Sequence, residues 1–481
     1  MKTRLALLLC VAAVSGCAQS RGTFTATTGM VAARSGHTAT VLPNGTVLIA
    51  GGENSPQTVD SHALASAELY DPSIGFSTRT GDMITARYGH SAALLPDGRV
   101  LISGGYAPTS TVSSTEIFDP STGTFTATGG TSTVSGIATL LKNGKVLIAG
   151  NTAELYDPVT DSFALTGSYV GPFYYGPFFY PDSATLLQDG RVLIVGSACG
   201  DCWLEHEEVY DPVTGTFKAV GELYTCSSGC AGYIWSAHSA TLLQNGKVLL
   251  AGGVSEDFGT FSNAELYDPS TDTIAPTGNM NLARAGHTAT LLTDGTVLVA
   301  GGQFDSFPLI DVELYNPATG TFSYTGHMTI PRSGHSAALL FDGRVLTSGG
   351  VAGSWLNSAD LYTPQLLAPA PALFSLSGDG AGQGAIWHAD TGKIASSANP
   401  ATAGDGLSMY TTSLFEGGAI FPQIAIGGQP AVILFFGDAP GYPGYDQVNF
   451  RMPSGVAPGS AVSVRLNYLG RPSNAVTIGV Q

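Results

Sequence analysis

At 481 residues the chain exceeds what one ordinary hydrophobic core serves, so either several domains or a large repeat ring is expected. A formal charge of −17, with 19 Lys and Arg spread thinly and no basic run, opposes the electrostatic attraction that nucleic-acid binding needs. Hydrophobic residues make up 43 % and charged residues 11 %, with 63 glycines, which suits tightly turned, mutually packed strands better than helices or disorder and points to an all-β class.

Residues 1 to 17 begin with Lys2 and Arg4 and continue as an apolar run from Leu5 to Val14, a secretion signal too short to span a bilayer as a stable helix. Val14-Ser15-Gly16-Cys17 resembles the lipobox of bacterial lipoproteins. That resemblance implies cleavage before Cys17 and a diacylglycerol on its sulfur, hence an envelope protein anchored through its N-terminal lipid. Ordinary cleavage nearby, and a secreted product, is the alternative.

The stretch RSGHTATVLPNGTVLIAGG, residues 34 to 52, then sets a unit that returns about every fifty residues. His37 to Leu42 and Val47 to Ala50 read as two strands, a and b, joined at Asn44-Gly45, whose residues suit a type I′ turn. The same place holds Asp97-Gly98, Asn143-Gly144, Asp189-Gly190, Asn245-Gly246, Asp294-Gly295 and Asp342-Gly343. Strand b ends in Gly-Gly in most repeats. A variable loop leads to strand c, Ala67-Glu68-Leu69-Tyr70-Asp71-Pro72 in the first repeat, and the proline forces the chain out of the strand. Strand d centres on an aromatic.

This pattern of Gly-Gly, spaced Tyr and four strands resembles kelch repeats, which implies a seven-bladed β-propeller over residues 23–365. The seventh repeat ends at Tyr362-Thr363-Pro364 without a strand d, and Gly22-Thr23-Phe24-Thr25 near the start supplies one. Closing the last blade with the N-terminal strand removes free sheet edges. Residues 369–481 lose the repeat but keep alternating runs such as Ala431 to Phe436 and Val462 to Leu466, which argue for an immunoglobulin-like β-sandwich. This part is similar to a C-terminal domain recurrent in large secreted bacterial proteins, a resemblance that implies architecture and no activity.

His37, His90, His238, His287 and His335 share one repeat position, with Arg34, Arg87, Arg284 and Arg332 three residues before four of them. Equivalent positions in successive blades are too far apart for several imidazoles to share one metal, so the ring reads as scaffold. The acidic ring Glu68, Glu116, Glu154, Glu208, Glu265, Glu313 and Asp360 reads likewise, each carboxylate paired with a basic or backbone donor from a neighbouring blade.

The pattern breaks in repeats three to five, at Val134 and Ile137, at Phe179 and Asp182, and at Trp235. The inserts Tyr169 to Tyr180, Cys199 to Glu208 and Tyr224 to Trp235 are expected to converge on one face of the disc. Their rings and carboxylates, with Tyr174, Tyr175, Phe178, Tyr180, Asp182, Trp203, Glu205, His206, Tyr233 and Trp235 as contacts, suit a neutral polyhydroxylated ligand, a carbohydrate or an envelope glycoprotein. Trp355, on the same face, extends the set. The rival reading is that the rings fill an enlarged loop and the carboxylates are solvated. Cys199, Cys202, Cys226 and Cys230 lie in these inserts and are read as two disulfides in an exported chain, with a Cys₄ zinc site as the rival.

Propeller plus C-terminal β domain also resembles the galactose oxidase architecture, which implies a copper-radical oxidase needing two histidines, two tyrosines and a cysteine cross-linked to one tyrosine. No Tyr-His neighbour pair is present, and His388 supplies one ligand at most. The sequence therefore reads as a monomeric, non-catalytic binding module with no cofactor and no nucleic-acid partner. The oxidase and a protein-interaction scaffold are its rivals.

Overall fold

The structure is a computed structural model that describes residues 22–54, 63–107, 110–131, 136–170, 179–198, 204–220, 238–255, 259–364, 372–377, 382–411, 422–439, 445–468 and 471–481. Seven four-stranded antiparallel sheets make a propeller. Blade 1 consists of strands a (Thr38–Val41), b (Val47–Ala50), c (Ala67–Asp71) and d (Phe76–Arg79), and the following blades repeat that order outward from the axis. The inner strands touch in a closed ring, blade 7 meeting blade 1. Strand b is wholly buried because each blade packs one face on either neighbour. Val47 and Ile49 face blade 7, while Leu48 and Ala50 face blade 2. Such a strand reads as a continuous apolar run rather than an alternation.

Blade 7 closes with the N-terminal strand. Thr23–Thr27 pairs antiparallel with Ala359–Thr363, Phe24 standing opposite Tyr362 with ring centroids 4.9 Å apart. The Tyr362 hydroxyl lies 3.1 Å from Thr325 of the preceding blade, and Tyr70, Tyr210 and Tyr315 make the same bond to Thr27, Thr166 and Thr277.

The a–b turn differs from the expected type I′. Gly45 N–H donates to Leu42 O at 2.9 Å, and in the turn only Gly45 has positive φ, at 87°. The turn is therefore type I over Leu42–Gly45, with glycine in the left-handed region as a bulge, a form that Pro43 favours. The glycine pair after strand b has a packing cause. A Cβ on Gly51 would sit 2.6 Å from Arg87 O and from the His90 ring, and 2.9 Å from the Met83 methyl, all in the chain entering the next blade.

The C-terminal domain is all-β, and its hydrogen bonding runs through one eight-stranded sheet. The sheet folds over a core that includes Leu407, Met409, Phe450, Ile424, Val464 and Ile478. Its two ends approach through the bridges Gln383–Thr477 and Ala401–Val480, giving a near-closed barrel. The ten-residue strands Gln429–Asp438 and Gly459–Tyr468 each pair with different neighbours along their length, which joins the two expected layers into one. Gln423 hydrogen-bonds the Pro43 carbonyl of blade 1.

If the N-terminal strand closes the ring, Phe24→Ala lowers unfolding free energy by about 1–2 kcal/mol, read by urea denaturation. An unchanged midpoint contradicts that closure.

Candidate functional site

The loops that follow strand b and the crossovers that enter strand a share one face of the disc, and an ion-pair clamp fixes each crossover. Val31 and Ala32 donate backbone N–H bonds of 2.6 and 3.0 Å to Glu68, and Arg34 reaches the same carboxylate at 2.7 Å. Arg34 also donates to Gly51 O and Ser66 O at 2.6 and 2.9 Å, tying the crossover to strands b and c. Glu116 holds Ile84, Thr85 and Arg87 in the same way, and Glu313 holds Asn281, Leu282 and Arg284. Asp360 holds Thr329 and Arg332. Both the basic and the backbone donors thus come from the crossover arriving out of the preceding blade. Burial lowers the Arg34 guanidinium pKa, and Glu68 beside it opposes that shift.

Blades 3 to 5 depart from this clamp. In blade 3, Thr131 donates to Glu154. In blade 4, Val170 N–H reaches Glu208 at 2.8 Å and His206 Nε2 lies 2.6 Å from the same carboxylate. The imidazole, two residues back on strand c, occupies the guanidinium's role, and it is 1 % exposed. His206 is thus placed inside the blade, below the loop rim.

Above this point blade 4 is taller than its neighbours. Its strands a, b and c are Phe179–Leu186, Val192–Ala198 and Leu204–Asp211, whereas blade 3 has Ile137–Leu140, Val146–Ala149 and Ala153–Asp157. The extra pairs Phe179–Ala198, Tyr180–Ser197 and Ser197–Glu205 continue the sheet beyond the disc face. Tyr169 packs on Phe217 at 4.6 Å, so the start of the first insert lies against blade 4. Tyr174, Tyr175, Phe178, Trp203, Tyr233 and Trp235 lie outside the described residues, as do Cys17, Cys199, Cys202, Cys226 and Cys230; Tyr180 and Glu205 are described as strand backbone.

Asp182 is the extra residue of a β-bulge between Pro181 and Ser183. It stands where other blades carry the strand-a histidine, whose Nε2 meets a hydroxyl of the preceding blade. The pairs are His90 with Thr38 at 3.0 Å, His287 with Ser239 at 2.9 Å, His335 with Thr288 at 3.0 Å and His37 with Ser336 at 2.6 Å. The preceding blade carries Ile137, which has no hydroxyl, at that place, and no hydrogen bond to Asp182 occurs among the described residues. Asp182 is exposed at the surface, while desolvation by the protein packed around it pushes its carboxyl up to about 7. Glu207, on the opposite face of strand c from Glu208, is raised by burial and by Glu265 of blade 5, with His206 opposing. Trp355 bridges to Val351 in the blade 7 loop, on the same disc face but three blades from blade 4.

No family model matches the chain, and no curated protein matches it. Among solved structures, one described as a novel fungal alcohol oxidase with catalytic diversity among the AA5 family, in complex with copper, aligns with a TM-score of 0.59 over 96 % of this chain and 100 % of that one, at 18 % identity. At that identity the likeness shows the fold. Among the described residues no three His, Cys, Asp or Glu side chains converge. His388 is committed within its own domain, its Nε2 3.2 Å from Asn399 O and its Nδ1 3.5 Å from Asp405.

The buried histidines make stability acid-sensitive. Desolvation lowers His90 and His335 to about 3 and holds His37 and His287 well below 6.5, so the unfolded chain takes up protons first as pH falls. Stability is then full above about 6.5 and falls toward pH 3, with a slope of up to about 1.4 kcal/mol per pH unit for each proton. Denaturation midpoints across that range check this, and His90→Gln makes the dependence shallower. Glu207 acts with the opposite sign: its raised carboxyl favours folding below about pH 4 and loses that advantage as pH rises. Glu207→Gln therefore stabilises the protein at pH 8 relative to pH 5, measured by the same midpoints.

Proposed function

We propose that the chain is an exported, lipid-anchored, non-catalytic binding module that takes a neutral polyhydroxylated ligand, a carbohydrate or a glycoprotein, on the loop face of blades 3 to 5. The observation that carries this reading is blade 4 itself. Its three inner strands extend past the disc face, and in chain order they flank the first two inserts, which are rich in aromatics and carboxylates. Asp182 sits at the base of that extension without a hydrogen-bond partner among the described residues. A protonated or half-protonated carboxyl both donates to and accepts from hydroxyl groups, and aromatic faces cover sugar C–H surface. Two disulfides among Cys199, Cys202, Cys226 and Cys230 would staple the inserts, contributing on the order of 3 kcal/mol each.

A glycan array probed with the full mature chain tests the site. Asp182→Asn, Trp203→Ala and Trp235→Ala are each expected to weaken binding at least about tenfold. Binding that survives all three removes the site. Copper retained after dialysis, with peroxide produced from a primary alcohol, replaces this reading by an oxidase.

A further inference from the structure

The C-terminal barrel turns one sheet face outward with a composition that its own packing does not require. Across four adjacent strands Trp387 stands opposite Ser408, Ser408 opposite Asn449, and Asn449 opposite Phe435. The next row holds Tyr410 and Gln447, and the row on the other side holds Gly406, Arg451 and Val432. Directly paired residues point to the same side of a sheet, and the alternate residues Leu407, Met409, Val448 and Phe450 fill the core, so these rows face away from it. A β-bulge between Ile433 and Phe435 keeps Leu434 and Phe435 both outward, 51 % and 46 % exposed, beside Val432 at 63 %. A regular strand would send one of the two inward, and bulges re-aim side chains in this way.

Between the apolar flanks lies a fixed polar floor. Ser408 Oγ and Gln447 Nε2 each donate 2.8 Å bonds to Asn449 Oδ1. Both amides are thereby oriented, and Asn449 Nδ2 as donor and Gln447 Oε1 as acceptor have no partner among the described residues. On the far side of the floor from Phe435, Trp387 and Tyr410 meet nearly edge to face, with centroids 4.9 Å apart. Trp387 and Phe435 are three strand spacings apart, about 14 Å. Arg451, at the margin, is the one charged residue in these rows.

We propose that this face is a second ligand site, on which a neutral polysaccharide chain lies across the strands, its sugar faces on Trp387 and Phe435 and its hydroxyls on Asn449 and Gln447. An apolar protein partner or a second copy would bury the two open amide groups unsatisfied, at about 1–3 kcal/mol each, whereas hydroxyls satisfy both. A single cation at the margin, Arg451, gives an anionic polymer one group to pair with along the whole face, and a flat face suits an extended chain better than a single sugar.

Affinity electrophoresis of the full mature chain in gels of hydroxyethylcellulose, galactomannan or dextran, with alginate as anionic control, tests the site. At least one neutral polymer is expected to retard the protein and alginate is not. Phe435→Ala and Asn449→Ala should weaken retardation at least about tenfold in the wild-type chain and in the Asp182→Asn background alike, which separates this site from the propeller face. Both variants sit on the surface, and an unchanged thermal midpoint shows that they fold. No retardation in any neutral gel, equal retardation of the variants, or a concentration-dependent dimer that Val432→Glu dissociates would each overturn the proposal.

Discussion

The propeller depends on a carboxylate buried at the same place in strand c of every blade but the fifth, gripping the chain as it crosses from one blade to the next. Glu68 accepts two backbone N–H bonds and a guanidinium bond at once, and both it and Arg34 are wholly buried. Removing charge from water at such a site is costly unless the partner is close and the remaining donors are satisfied. Here the guanidinium spends its other bonds on carbonyls at the ends of strands b and c, so one pair fixes the crossover, the loop after strand b and the neighbouring blade together. Repeated around the ring, the clamp assigns crossovers and b–c loops to one face, while the glycine turns and the c–d turns occupy the other.

Where the clamp changes, the face changes with it. The guanidinium is replaced in blade 4 by His206, reaching from strand c itself, and Val170 of the crossover bonds the same Glu208. The buried carboxylate thus keeps a nitrogen partner on its own strand where the other blades use the crossover's arginine. Asp182 belongs to the same departure, since the histidine it replaces serves elsewhere to bond a hydroxyl across the blade interface. A scaffold interaction given up at two neighbouring positions, beneath a sheet that grows taller, is the physical ground on which ligand contact is proposed for this sector.

Much of the fold was legible because a repeat states the same chemistry seven times. The Asn/Asp-Gly pairs, the strand-c proline and the missing final strand d point to blades closed by Phe24, and the pairing of Phe24 with Tyr362 follows. The type of the a–b turn was not legible, because Asn-Gly serves type I′ and type I with a glycine bulge equally, and the choice rests on the neighbouring residue's backbone. In the C-terminal domain alternation revealed strands, but a single bulge at Leu434 and the length of two strands decide whether two layers stay separate or join, and neither leaves a periodic mark. His206 looked like a rim residue by its company of acids. Its neighbour two residues on, Glu208, was the signal for an interior pair, since strand residues i and i+2 share a face. Trp355 shares the loop face, yet chain position alone hid that three blades separate it from blade 4.

A double-mutant cycle at Arg87 and Glu116, read by equilibrium denaturation, tests the clamp most directly. Arg87→Met and Glu116→Gln should each cost about 3–5 kcal/mol by stranding the other partner, and the double variant should cost less than their sum by about 2 kcal/mol or more. Additive costs would mean that the two groups stabilise the blade independently, and the clamp would then not be what holds the crossovers to one face.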